Sequence, residues 1–80
     1  MNRIEALAVV IRQTRLQLKM SQEKLAEAAM LHRNAMGRIE RSDVAMSVGT
    51  LWQIADALGV PASTLLQEAE QLAAKADSQP

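Results

Sequence analysis

SQEKLAEAAMLHRNAMGRIER, running from Ser21 to Arg41, decides how this chain folds. Ser21 is a preferred N-cap residue, and Glu23 places an acid in the first turn, where the helix dipole favours it. Leu25, Ala26 and Ala29 then form the inner face of a short helix, and Ala26 is small enough to let another helix approach closely. Met30 and Leu31 make a turn. A second short helix follows from about Arg33 to Arg41, with Ala35, Met36 and Ile39 facing inward. Its outer face carries basic and amide side chains.

The flanking sequence supplies three more helices. From about Arg3 to Leu18, the apolar residues Ile4, Leu7, Val10, Ile11 and Leu18 recur at spacings that mark one buried stripe. Beyond the second short helix, Ser42 and Asp43 break the pattern. Ser47 then caps a helix from about Val48 to Leu58, buried through Leu51, Ile54, Ala55 and Leu58. Gly59 stands where a left-handed C-terminal residue is wanted. Pro61 suits the first turn of a last helix, from Ala62 to about Lys75, which presents Leu65, Leu66, Ala69, Leu72 and Ala73. No strand pattern, internal repeat or low-complexity segment is present. The expected architecture is all-α: one five-helix domain over 1–75, with a frayed polar tail over 76–80.

Composition narrows the possibilities. Eighty residues make one domain, and with no Phe or Tyr and a single Trp the core must be built from Leu, Ile, Val, Met and Ala. So short a chain has a marginal core and gains from a staple or a partner. Without Cys there is no disulfide, and a thiolate metal site is disfavoured, so self-association is the remaining support. No apolar run approaches the roughly 20 residues of a membrane span. The opening MNRIEALAVVIRQTR has an early Glu5 and no small-residue cleavage site. It reads as an amphipathic helix rather than a signal peptide, and a cytoplasmic location is expected.

Net charge is zero, but it is unevenly spread. Residues 1–42 hold eight of the nine Lys and Arg and four of the nine Asp and Glu, a local charge of +4; residues 43–80 carry −4. The split is either chance asymmetry in a small chain or a basic half facing a polyanion, since local field steers association more than net charge does. The two short helices favour the second: with a basic outer helix, they form a device for lowering that helix into the major groove of DNA.

At this point the sequence resembles the Cro/cI-type (Xre-like) helix-turn-helix family. The resemblance spans about Leu7 to Leu66. Its residues are Ile11-Arg12 with Arg15, Ser21-Gln22 with Leu25-Ala26, Ile39-Glu40-Arg41, and Leu51, Ile54-Ala55 and Leu58-Gly59-Val60-Pro61. It implies a compact lambda-repressor-like domain with the helix-turn-helix at about 22–41. The run LHRNAMGRIER, followed by the Ser47-Val48 helix entry, also looks like the small homodimeric controller proteins of restriction–modification systems, a feature shared with phage and mobile-element repressors.

The resemblance implies roles for individual residues. Arg33 and Asn34, at the N-terminal end of the recognition helix, and Arg38, one turn on, are the candidates for reading bases. Arg can fork onto guanine and Asn onto adenine. Gln22, His32, Ser47 and Thr50 are candidates for phosphate contacts, although capping also accounts for His32, Ser47 and Thr50. Arg15 and Glu40 match a family ion pair that ties the first helix to the end of the recognition helix; two independent surface charges are the alternative. Trp52, Leu65, Leu66 and Leu72 carry surplus apolar surface on the last two helices and are the candidate dimer interface. The implied partners are double-stranded DNA, a second copy of the chain and RNA polymerase. A regulator of this type acts as a repressor, an activator or both, on a pseudo-palindromic site.

Three positions depart from the family pattern. Glycine is common before the second helix, in the turn and after the recognition helix, where this chain has Lys19, Met30 and Ser42. Conversely, Gly37 lies inside the recognition helix, at a cost of about 1 kcal/mol relative to Ala. It reads either as close backbone approach to DNA or as drift at an exposed site.

Other function classes find little support. His32 has no cluster of acids, His or Cys around it, and no nucleophile motif or phosphate loop is present, so neither an enzyme nor a metal or cofactor site is expected. Glu23 and Glu27, one turn apart, read as a solvated face. The competing class is an antitoxin-type module whose main partner is a toxin protein. The short, regular last helix favours self-association over wrapping such a partner.

Overall fold

Side-chain caps set where the helices begin. Asn2 accepts from the Glu5 backbone N–H at 2.8 Å while the Glu5 carboxylate accepts from the Asn2 N–H at 3.0 Å, a reciprocal capping box. Ser21 and Ser47 accept from the N–H groups of Lys24 and Thr50. In the computed structural model, which describes residues 1–77, these caps open helices α1 (Arg3–Gln17), α2 (Gln22–Ala28) and α4 (Val48–Leu58). His32 holds the N-cap position of α3 (Arg33–Glu40) but makes no side-chain cap bond. The fifth helix, α5 (Ala62–Asp77), follows Pro61 and runs two residues past the expected end. The tail expected over 76–80 is therefore helical at Ala76 and Asp77, and 78–80 lie outside the described residues.

The helix ends share one solution. After α1, α2, α3 and α4 the chain turns left-handed at Lys19, Met30, Ser42 and Gly59, with φ of 58°, 60°, 62° and 72°. Each turn closes with the same pair of bonds. The next residue's N–H reaches back five residues (Met20 to Arg15, Leu31 to Ala26, Asp43 to Arg38, Val60 to Ala55), and the left-handed residue's N–H reaches back three. This is the Schellman geometry, which satisfies carbonyls a helix end would leave orphaned. It uses Gly only once. At Lys19, Met30 and Ser42 the positive φ is retained with an L side chain, at about 1 kcal/mol or more each. Met20, Leu31 and Val60, next in the chain, pack against the core and help hold three of the turns closed.

The core draws one large, fully buried side chain from every helix: Ile11, Leu25, Met36, Ile54 and Leu65. Each such burial is worth about 1.5–3 kcal/mol. Helix α1 packs along α5 and also meets α3, so it is buried on more than one side. Ala6, Leu7, Ala8, Val10 and Ile11 are all inaccessible, a wider band than one stripe. The stripe's expected ends differ: Ile4 and Leu18 are about half exposed, and Leu18 lies past the helix at its C-cap. Helices α2 and α3 pack on each other, and α4 supports α2. There Gln53 on α4 donates its amide to the carbonyl of Ala29 at 2.9 Å, pinning the turn before α3 from below.

Candidate nucleic-acid interface

Helix α3 is amphipathic, and its buried side fixes its exposed one. Met36 and Ile39 are buried and Ala35 is half-buried, which turns Arg33, Asn34 and Arg38 outward into solvent. With Gln22, Gly37 and Arg41 these three line an open depression of about 570 Å³ on the α2–α3 face. A face of guanidinium and amide donors with no acid lining it suits an anionic ligand. Its scaffold, a helix with one face exposed, is of a size that the roughly 12 Å major groove of B-DNA admits.

The orientation of α3 is held from behind by one network. Arg15 reaches from α1 to Glu40 at the end of α3, donating from Nε to Oε2 at 2.8 Å and from Nη2 to Oε1 at 3.0 Å. Its Nη1 donates to the carbonyl of Met20 at 2.8 Å, in the turn after α1. The two side chains are 10% and 3% exposed, so the pair is buried and bidentate rather than two separate surface charges. Gln22, the first residue of α2, adds its amide N–H to Glu40 Oε1 at 3.3 Å. Helices α1, α2 and α3 therefore meet on a single carboxylate.

That geometry changes what Gln22 and Gly37 do. Gln22 is half-buried and spends one amide hydrogen on Glu40, leaving the other to face an outside partner. Gly37 is buried under neighbouring side chains, not exposed. A Cβ there would stand 3.1 Å from Arg41 Nη1 and 3.4 Å from Gln22 Oε1. Drift at an exposed position is thereby ruled out, and the close approach at Gly37 is first of all that of this chain's own side chains.

The flanking candidates separate. Ser47 is a cap, and its hydroxyl also donates to Thr50 Oγ1 at 3.1 Å, so both hydroxyls are engaged with each other. His32 is exposed and uncapped at the start of α3. Of the four apolar interface candidates, Trp52 and Leu66 are 59% and 44% exposed, and Leu72 is half-buried against the core. Leu65 is corrected outright: at 0% exposure it belongs to the protomer's own core and has no surface to offer a partner. Its place on the Leu65–Ala69–Ala73 row, at intervals of four, is the signal that separates it from Leu66. Trp52 and Leu66 border an apolar groove of about 410 Å³ with Ile4, Val48 and Met46. The groove shares no residue with the polar depression. Among the described residues, no helix is long and apolar enough to cross a membrane.

Sequence reasoning missed two contributors, Gln53 and Arg41. A single amide reaching a carbonyl in another element leaves no periodic trace, and Arg41 stands in the sequence only as the end of the Ile39-Glu40-Arg41 motif, with no role of its own.

The comparisons with known proteins agree on the architecture. The family model described as Helix-turn-helix (HTH_3) matches residues 11–65. The HTH-type transcriptional regulator SutR of Escherichia coli (strain K12) is 40% identical over 60 residues, 75% of this chain and 34% of SutR. The chain thus spans about a third of the length of that curated relative. Among solved structures, a point mutant of the restriction–modification controller protein C.Esp1396I aligns with a TM-score of 0.86 at 27% identity, over 94% of this chain and 97% of that one. The clp gene regulator ClgR from Corynebacterium glutamicum aligns with a TM-score of 0.84 at 27% identity, over 96% and 86%. The controller protein C.AhdI from Aeromonas hydrophila gives 0.76 at 27% identity, over 78% and 94%.

Proposed function

The chain belongs to the helix-turn-helix family of DNA-binding transcriptional regulators, Xre type, and from that premise we propose that it is a sequence-specific regulator acting in the cytoplasm as a homodimer on a pseudo-palindromic operator. The observation that carries the proposal is the outward Arg33–Asn34–Arg38 face on a helix whose inner side and C-terminal end are locked by buried contacts. Helix α3 lies in the major groove. Arg33 and Asn34, at its N-terminal end, reach deepest and read bases, and Arg38 contacts a base or phosphate one turn on. Gln22 and His32 face phosphates beside the helix-helix turn, while Ser47 and Thr50 present the N-terminus of α4 to the backbone on the far side.

One recognition helix reads too few base pairs, which is the reason for two-fold pairing. The groove edged by Trp52 and Leu66 is the surface for a second copy. It is apolar, lies on α4, α5 and the start of α1, and leaves the basic depression free. The controller type of regulator is the finer assignment. Its support is the resemblance of LHRNAMGRIER and the reciprocal coverage with C.Esp1396I and C.AhdI.

Selection of bound sequences from random duplexes at fixed salt tests the proposal. It should enrich a pseudo-palindrome with half-sites about 34 Å apart, or a multiple of that. Affinity for the selected duplex should fall steeply with salt, reporting several phosphate contacts. No enriched sequence and a flat salt dependence would overturn it.

A further inference from the structure

Arg41 ends the recognition helix and has no place in the Arg15–Glu40 network. Its guanidinium folds back along α3 and rests over Gly37, where any side chain would stand only 3.1 Å from Nη1. Its Nε donates to Asp43 Oδ2 at 3.0 Å, in a pair whose side chains are 64% and 49% exposed. Among the described residues no acceptor takes its Nη donors. They border the same depression as Arg33, Asn34 and Arg38. An exposed pair of this kind is weakly held and open to exchange.

The position favours phosphate over base. Arg41 sits at the C-terminal end of α3, whereas the N-terminal end of a recognition helix is the end that meets base edges. With no side chain at Gly37, the guanidinium can come close to the helix there, where a Cβ would already stand 3.1 Å from Nη1. Glycine inside an α-helix is otherwise unfavourable; here it provides the seat for Arg41.

We infer that Arg41 is a DNA-phosphate contact, seated by Gly37 and restrained in the free protein by Asp43, which it exchanges for a phosphate oxygen when α3 enters the groove. The inference rests on the reading that α3 binds DNA. Asp43 then works against binding, because its charge is left beside the phosphate after the exchange.

Fluorescence anisotropy with the selected duplex, in salt steps, tests this with full-length variants. Arg41→Gln should weaken binding several-fold for all sequences alike and lower the salt slope by about 0.9, one phosphate contact. Asp43→Asn should tighten binding. Gly37→Ala, which favours the helix and whose fold is checked by circular dichroism, should weaken binding in the wild-type background and have little further effect in Arg41→Gln. If Arg41→Gln keeps wild-type affinity and slope while Arg33→Ala still changes base preference, this inference is wrong and the DNA reading survives. If the wild-type chain binds no duplex in a salt-dependent way, both fall.

Discussion

Glu40 is the residue at which the architecture is most exposed to a single change. Replacing it by Met removes the acceptor of two Arg15 donors and of the Gln22 amide, and leaves the guanidinium buried with only the Met20 carbonyl. Breaking one side of a buried, bidentate pair costs about 3–5 kcal/mol. An 80-residue domain has about 4–12 kcal/mol in total at the usual stability per residue. The single variant should therefore lose much of its stability, a drop of more than about 10 °C in Tm. The double variant Arg15→Met/Glu40→Met removes both charges and fills the space with apolar stems. It leaves the Met20 carbonyl without its donor, at about 1–3 kcal/mol, and otherwise should recover most of the loss. Urea and thermal unfolding followed by far-UV circular dichroism measure both. The double variant should be folded yet bind DNA more weakly, because the pair orients α3 more than it stabilises the domain. A single variant within about 1 kcal/mol of wild type would refute the reasoning, since it would mean that the pair is effectively solvated.

Three further outcomes follow from the same geometry. Met30→Gly should stabilise by up to about 1 kcal/mol, because an 86%-exposed side chain with φ of 60° gives up strain and little packing; Gly59→Ala should cost a similar amount, and denaturant midpoints would show either sign. Arg33→Ala and Asn34→Ala should each relax preference at one base position by about 1–3 kcal/mol, read by competition with single-base operator variants; unchanged preference would remove them as base readers. Trp52→Asp should shift sedimentation equilibrium toward monomer with the fold intact, whereas Leu65→Asp should fail to fold; a dimer that survives Trp52→Asp would relocate the interface.

Much of the fold could be read from residues whose effect is local. Ser21, Ser47 and Gly59 act on the backbone within a few positions, so their meaning survives without tertiary knowledge. The capping box at Asn2 and Glu5 had the same kind of signal, an N-cap acceptor three residues before an acid. What stayed hidden depends on which elements meet. Ala8 is buried and Ile4 exposed because of where α5 and α3 cross α1, which no stripe encodes. Gly37 carries two meanings in the sequence and one in the structure, because only the fold brings Gln22 and Arg41 together above it. Leu65 and Leu66 are adjacent apolar residues with opposite fates, and only the strict spacing to Ala69 and Ala73 tells them apart.

Trp52 is the chain's sole aromatic residue and stands mostly in water on the rim of the apolar groove. The protein therefore carries one intrinsic fluorophore, placed where a second copy would cover it. Its emission should be nearly as red in the folded monomer as in the unfolded chain, so it is a poor witness to denaturation. Coverage by a partner would move it to the blue. Dilution of unlabelled protein, followed at the tryptophan band, would then yield an association constant directly. Added duplex would shift the band only as far as it drives the subunits together.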